Sequence, residues 1–240
     1  LNISYLQVMM MAAIPAALYY ASILMMIEAE ARRLGTRTAD VAGETLRTLT
    51  LRYVYHFISV FSLGFFIVRG MTAVRAVFWA SLLAVGLSFI RTETALWPRR
   101  LAAALAAAGR SVVPIVATTA VAGVIVGVVT LTGLGLKISG VIVTMAGGSV
   151  VVTVIYAAIA VWVLGLAVPV TASYIIAAVM IAPALVQVGI PAAAAHMFIF
   201  YYAVLSEVSP PTALAPFAAA ALTGGDPMRT TLHTWKYTLP

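Results

Sequence analysis

Cysteine is absent from this sequence, and that absence excludes a disulfide framework, thiolate metal sites and a cysteine nucleophile. Charge is also scarce. Only 9% of the 240 residues are Asp, Glu, Lys or Arg, against about 25% in soluble domains. With 63% of its residues hydrophobic, the chain has too little polar surface to cover itself in water. It reads as an integral membrane protein. Strict alternation of apolar and polar residues is missing as well, and a transmembrane barrel needs it. Among catalytic and nucleotide-binding signatures, H-E-x-x-H, G-x-S-x-G, the Walker loop and the dinucleotide fingerprint are all missing. The chain therefore reads as a non-enzyme without an organic cofactor.

The sequence is instead rich in continuous apolar runs, which predict an all-α multi-span bundle. A first run covers residues 3–27, with Pro15 as a kink point, and the polar loop "EAEARRLGTRTADVAGETLR" follows. Runs at 53–68 and 72–90, separated only by the region "RGMTAVR", predict a helical hairpin. In "RTETALWPRRLAAALAAAGR", residues 101–108 fit a short interfacial helix with Trp97 at headgroup depth, or a plain loop. A run at 112–131 follows, then one at 138–168 interrupted by Gly147 and Gly148. Short runs at 171–188, 192–208 and 211–222 are punctuated by Pro169, Pro183, Pro191, Pro210, Pro211 and Pro216. The tail "DPMRTTLHTWKYTLP" is amphipathic. Two parts are expected: residues 1–110 as membrane helices with cytoplasmic loops, and 111–240 as a transport-domain half with broken helices and a hairpin.

The net charge of +7 marks topology rather than nucleic-acid binding. Arg and Lys number five in residues 28–52, two in 69–75, four in 91–110 and one in 132–138. High and low counts alternate, so the first and third loops are expected in the cytoplasm and the N-terminus outside. The chain opens on Leu1 with no signal-peptide pattern, and a longer parent protein is expected.

Three stretches break the apolar pattern with hydroxyls, glycines and prolines. They are "GVVTLTGLG" with Gly127, Thr130 and Thr132, "GLAVPVTASY" with Gly165, Pro169, Thr171 and Ser173, and "SEVSPPTALA" with Glu207, Ser209, Pro210, Pro211 and Thr212. Proline removes a backbone donor and unwinds the helix around it. The freed carbonyls must then be buried in protein, face water or bind an ion. Backbone carbonyls and Ser/Thr hydroxyls suit sodium, a hard cation. Half-helix N-termini after a break suit a carboxylate. Taken singly, each stretch also reads as a packing kink. Glu207 reads as an ion ligand or as an end-of-helix carboxylate reaching interface water. His196 reads as an interfacial or packing residue, or as a proton site.

With "ISYLQVMMMAAIPAALYYASILMMIEAEARRLG", "AGVIVGVVTLTGLGLKISGVIV" and the long stretch from "LGLAVPVTASYIIAAVM" to "SPPTALAPFAAAALTGGDPMRT", the chain resembles the fused permeases of tripartite ATP-independent periplasmic (TRAP) transporters. The family pattern Gly-x-x-x-Pro-Thr-Thr appears as Gly165, Pro169, Val170 and Thr171, with Val170 in place of a hydroxyl residue. Ser/Thr-Pro-Pro appears as Ser209, Pro210 and Pro211. The resemblance implies an elevator-type sodium symporter for organic acids in a bacterial or archaeal cytoplasmic membrane. It also implies a periplasmic solute-binding protein that delivers the carboxylate, and further permease segments that complete the transport site. A proton-coupled carrier using Glu207 and His196, and a membrane scaffold subunit that moves no solute, stand as alternatives.

Overall fold

The computed structural model describes residues 3–35, 46–210 and 213–238. Among these residues there is no strand, and the chain is a succession of helices, as its apolar runs predict. Helix α1 (Tyr5–Leu34) starts at a capping box in which Ser4 and Gln7 each satisfy the other's backbone N–H. It absorbs Pro15 and runs seven residues past the apolar run. The polar loop therefore begins later than the charge pattern suggested. Glu28 and Arg32, one turn apart at 2.7 Å, extend the helix, and Gly35 ends it in the left-handed conformation. The rest of that loop, with Arg37, lies outside the described residues.

Helix α2 (Leu46–Tyr53) leads through a 3₁₀ turn, Val54–His56, into α3 (Phe57–Val68). Gly70, at φ 83°, then reverses the chain into α4 (Ala73–Ser88), and α3 packs against α4 as the expected hairpin. Helix α5 (Pro98–Thr132) corrects the next expectation. The alanine-rich segment is not a separate interfacial helix or a loop but the first turns of one 35-residue helix. Alanine is the best helix former, and Pro98 at the start supplies the fixed φ that a first turn accepts. Thirty-five residues span about 52 Å at 1.5 Å each, well beyond a hydrocarbon core of about 30 Å. The arginine-bearing first turns thus extend outside the hydrocarbon.

Helices α6 (Leu134–Met145) and α7 (Val150–Ala167) are divided at Gly147 and Gly148, with φ of 59° and 73°. Next come α8 (Val170–Met180), the short α9 (Ala182–Gln187) and α10 (Ala192–Val204), which tightens into a 3₁₀ turn, Leu205–Val208. Thus the apolar run at 171–188 is two helices, divided at Ile181 beside Pro183. Helices α11 (Leu214–Thr223) and α12 (Pro227–Thr238) complete the chain. Among the described residues, helices α1, α5 and the segment Thr50–Val68 are long and apolar enough to cross a membrane, and six shorter apolar helices accompany them.

The contacts divide the chain into two compact units, one from Ala17–Ile27 and Val112–Pro240, the other from Asn2–Ala16 and Glu28–Ser111. In the first, the core is formed by Ala157 and Val161 of α7, Ala177 of α8, Leu185 of α9, and Ala195, Ile199 and Ala203 of α10. The predominance of alanine lets these backbones approach closely, which is how helices associate where lipid is as apolar as the side chains. In the second unit the α3–α4 hairpin buries Ile67, Ala76 and Ala80. The outer faces of both units are apolar: Phe61, Val74 and Leu131 are among the exposed residues, as a bilayer-facing surface requires.

Candidate functional site

Two interruptions meet inside the first unit. One lies between α7 and α8, where Val168 is extended and Pro169 caps the next helix at φ −62°, ψ 160°. Proline cannot continue α7, so the chain leaves the helix and restarts at Val170. Ser173 is fully buried. Its hydroxyl donates to the Val168 carbonyl at 2.9 Å, and its backbone N–H donates to the Pro169 carbonyl at 2.9 Å. The side chain thereby satisfies a carbonyl that the break released. Because that hydroxyl is the donor, its oxygen lone pairs remain able to accept or to ligate a cation.

The other interruption follows α10. The helix tightens over Leu205–Val208, Ser209 turns extended at φ −103°, ψ 131°, and α11 starts at Leu214. The helix has ended before Pro210, and Pro211 and Thr212 lie outside the described residues. Ser206 and Ser209 are both 1% exposed, whereas Glu207 between them is half-buried. The two breaks are joined by a close approach. A Cβ on Gly165 would stand 3.3 Å from the Ser206 Cβ and 3.7 Å from its Cα. Only glycine lets α7 sit this near the 3₁₀ turn without displacing it.

The stretch "GVVTLTGLG" breaks later than its first hydroxyls suggest. Gly127, Thr130 and Thr132 do not interrupt a helix: all three lie within α5. The Thr132 hydroxyl donates back to the Val128 carbonyl at 2.7 Å, an arrangement that a regular helix accommodates without unwinding. The break is confined to Gly133, at φ 65°. Thr130, Thr132 and Thr171 are exposed, unlike Ser173 and Ser209. An apolar groove of ≈ 220 Å³ flanks the first break between α5 and α8. Thr118 supplies its one hydroxyl and every other lining side chain is apolar, so the groove offers little to an ion.

In the first unit, the buried serines Ser139 and Ser206 carry little signal in the sequence. Ser206 stood at the edge of its stretch without being singled out. Ser139 of α6 donates to the Gly135 carbonyl at 3.0 Å and to the Met180 carbonyl at 2.8 Å, where α8 ends. A hydroxyl in a Gly/Val/Ile run was its only signal. Gly135 lies against the same helix end, where an added Cβ would stand 3.0 Å from the Val179 oxygen. His196 of α10 forms a hydrogen bond through Nδ1 with the Tyr174 hydroxyl of α8 at 3.1 Å.

Helices broken at prolines and glycines and packed together in a multi-pass apolar chain fit the architecture of a secondary carrier. The family described as the tripartite ATP-independent periplasmic transporter, DctM component, matches residues 1–240, and the chain belongs to that family. It is a TRAP transporter permease component. No curated protein and no solved structure matches the chain.

Proposed function

We propose that this permease carries out sodium-coupled uptake of organic acids, handed over as carboxylates by a periplasmic solute-binding protein. The observation that carries the reading is the Gly165–Ser206 approach, which puts the α7–α8 break beside the break after α10. Ser173 is buried at the first break, with its hydroxyl on the Val168 carbonyl, and Ser206 and Ser209 are buried at the second. Neutral hydroxyl and carbonyl oxygens suit sodium. Glu207 adds the negative charge that a cation favours, and the N-termini of α8 and α11 offer a positive dipole end to a carboxylate. A transporter family that is independent of ATP needs another energy source, and an ion gradient supplies it. Sliding of the broken-helix unit as an elevator, together with further permease segments that complete the site, belongs to the same proposal.

The test is uptake into proteoliposomes that hold the complete permease and its binding protein. Uptake should require an inward sodium gradient. Ser209→Ala should remove one ligand oxygen, worth about 1 kcal/mol, and raise the sodium concentration for half-maximal uptake about fivefold. Full uptake on a proton gradient without sodium would sink the reading in favour of the proton-coupled carrier. Failure to move any solute would favour the scaffold.

A further inference from the structure

The α3–α4 hairpin in the second unit gathers residues 46–56 and 88–100 at one of its ends. There the Tyr53 ring is flanked by two guanidiniums, with Arg52 Cζ 5.6 Å and Arg91 Cζ 5.9 Å from its centroid. Glu93 pairs with Arg52 at 3.6 Å. Arg100 directs its guanidinium at the Glu93 and Ala95 carbonyls, at 2.9 and 3.4 Å. These two segments hold five arginines (Arg47, Arg52, Arg91, Arg99 and Arg100) against the single carboxylate of Glu93. The two guanidiniums beside Tyr53, Arg52 and Arg91, form a pair suited to an anion. The forked guanidinium matches a phosphate better than any other common group.

Beside the arginines, Phe89 and Trp97 meet edge to face at 5.8 Å, and both are about half exposed, as aromatic rings at headgroup depth are. A groove of ≈ 230 Å³ lies between the hairpin's helices, lined by Ser59, Val60 and Leu63 of α3 and by Val77, Ala80 and Ala84 of α4. Ala84 lies four residues from the arginine end of α4 and Val77 lies eleven. The groove therefore spans depths of about 6 to 16 Å below the cluster. The guanidinium pair thus lies beyond one end of a mostly apolar groove.

We propose that this end of the hairpin binds an anionic phospholipid, with its phosphodiester between Arg52 and Arg91 and one acyl chain along the α3–α4 groove. The slot favours a lipid phosphate over a free one, since inorganic phosphate would leave it unused. Among the described residues no carboxylate pairs with Arg91, which supplies the free charge, and Tyr53 fixes the separation of the two guanidiniums.

The experiment reads lipid retained by the intact permease. The protein is purified, stripped of lipid and re-exposed to vesicles of phosphatidylglycerol, to vesicles of phosphatidylcholine with the same chains, or to inorganic phosphate. Phosphatidylglycerol should be retained and should raise the thermal unfolding midpoint, and phosphatidylcholine should do neither. Arg91→Gln should lower phosphatidylglycerol retention about fivefold, in line with the worth of one cation at an anionic headgroup. Arg52→Gln combined with Glu93→Gln, which removes the ion pair as a unit, should act in the same direction. Ala84→Phe should lower retention by filling the slot while leaving every arginine in place. Arg33→Gln, on α1, should change nothing. Equal retention of both lipids, unchanged retention in Arg91→Gln, or displacement of the lipid by inorganic phosphate would each overturn the proposal. Since Arg91→Gln leaves the groove untouched, its result stands even if Ala84→Phe misfolds.

Discussion

Gly165 and Ser206, 41 positions apart, lie so close that a Cβ on the glycine would stand 3.3 Å from the serine Cβ. This is the tightest link between the two breaks of the candidate transport site. Alanine at 165 gains helix propensity of about 1 kcal/mol over glycine, but the serine must yield by a few tenths of an ångström. Valine cannot be accommodated that way, and overpacking of this kind costs about 1–3 kcal/mol. We expect Gly165→Val to lower the thermal midpoint of the purified permease and to stop uptake. Ser206→Gly in the same chain should restore part of both. A Gly165→Val protein with unchanged stability and uptake would show that the approach has no consequence.

Ser139 ties α6 to the end of α8. Removing its hydroxyl leaves the Met180 carbonyl, freed by the break at Ile181, without that donor. A buried acceptor left unsatisfied costs about 1–3 kcal/mol. Ser139→Ala should therefore destabilise the permease by that amount in thermal unfolding. Thr132→Ala, which removes an exposed hydroxyl bonded within its own helix, should stay within about 0.5 kcal/mol. Equal effects of the two would contradict the assignment of Ser139 as an inter-helix tie.

The Tyr174–His196 hydrogen bond discriminates between the coupling ions. Tyr174→Phe keeps the edge-to-face contact with Phe200 and loses only the bond, a cost of about 1 kcal/mol. If sodium is the coupling ion, uptake by Tyr174→Phe and by His196→Gln should keep its sodium dependence and most of its rate. Loss of uptake in folded His196→Gln protein, measured against internal and external pH, would favour the proton-coupled carrier.

Helix α12 is anchored by Trp235, whose ring meets Trp162 of α7 at 5.6 Å and 60°. Aromatic pairs contribute about 0.5–1.5 kcal/mol beyond their buried area. Trp235→Ala should loosen α12 and hasten tryptic cleavage at Arg229, with Trp235→Phe lying between it and the native protein. Cleavage at the native rate in Trp235→Ala would show that α12 is secured elsewhere.

Much of the chain was legible from local chemistry. Scarce charge and continuous apolar runs identify a helical membrane protein. The punctuation at Gly70, Gly147, Gly148, Pro169, Pro191 and Pro210 falls where helices end, because a backbone that needs positive φ or lacks an N–H is a property of the residue itself. Where the reading failed, it failed on the strength of helix propagation. Alanine carried α5 back to Pro98, and Thr132 stayed helical by bonding its own preceding turn.

Local chemistry thus set the class of protein, the helical hairpin and the two proline breaks. Tertiary structure alone decided that Gly165 meets Ser206, that Ser139 reaches the Met180 carbonyl and that Tyr174 reaches His196. In soluble helices an apolar stripe announces the inward face. Here α7 is apolar on both faces, with Ala157 and Val161 buried and Val151, Ile155, Ile159 and Val163 exposed, so no periodicity marks which side turns inward. Which oxygen lies buried at a break depends on how closely neighbouring helices pack, and that is settled by small side chains scattered over distant parts of the chain.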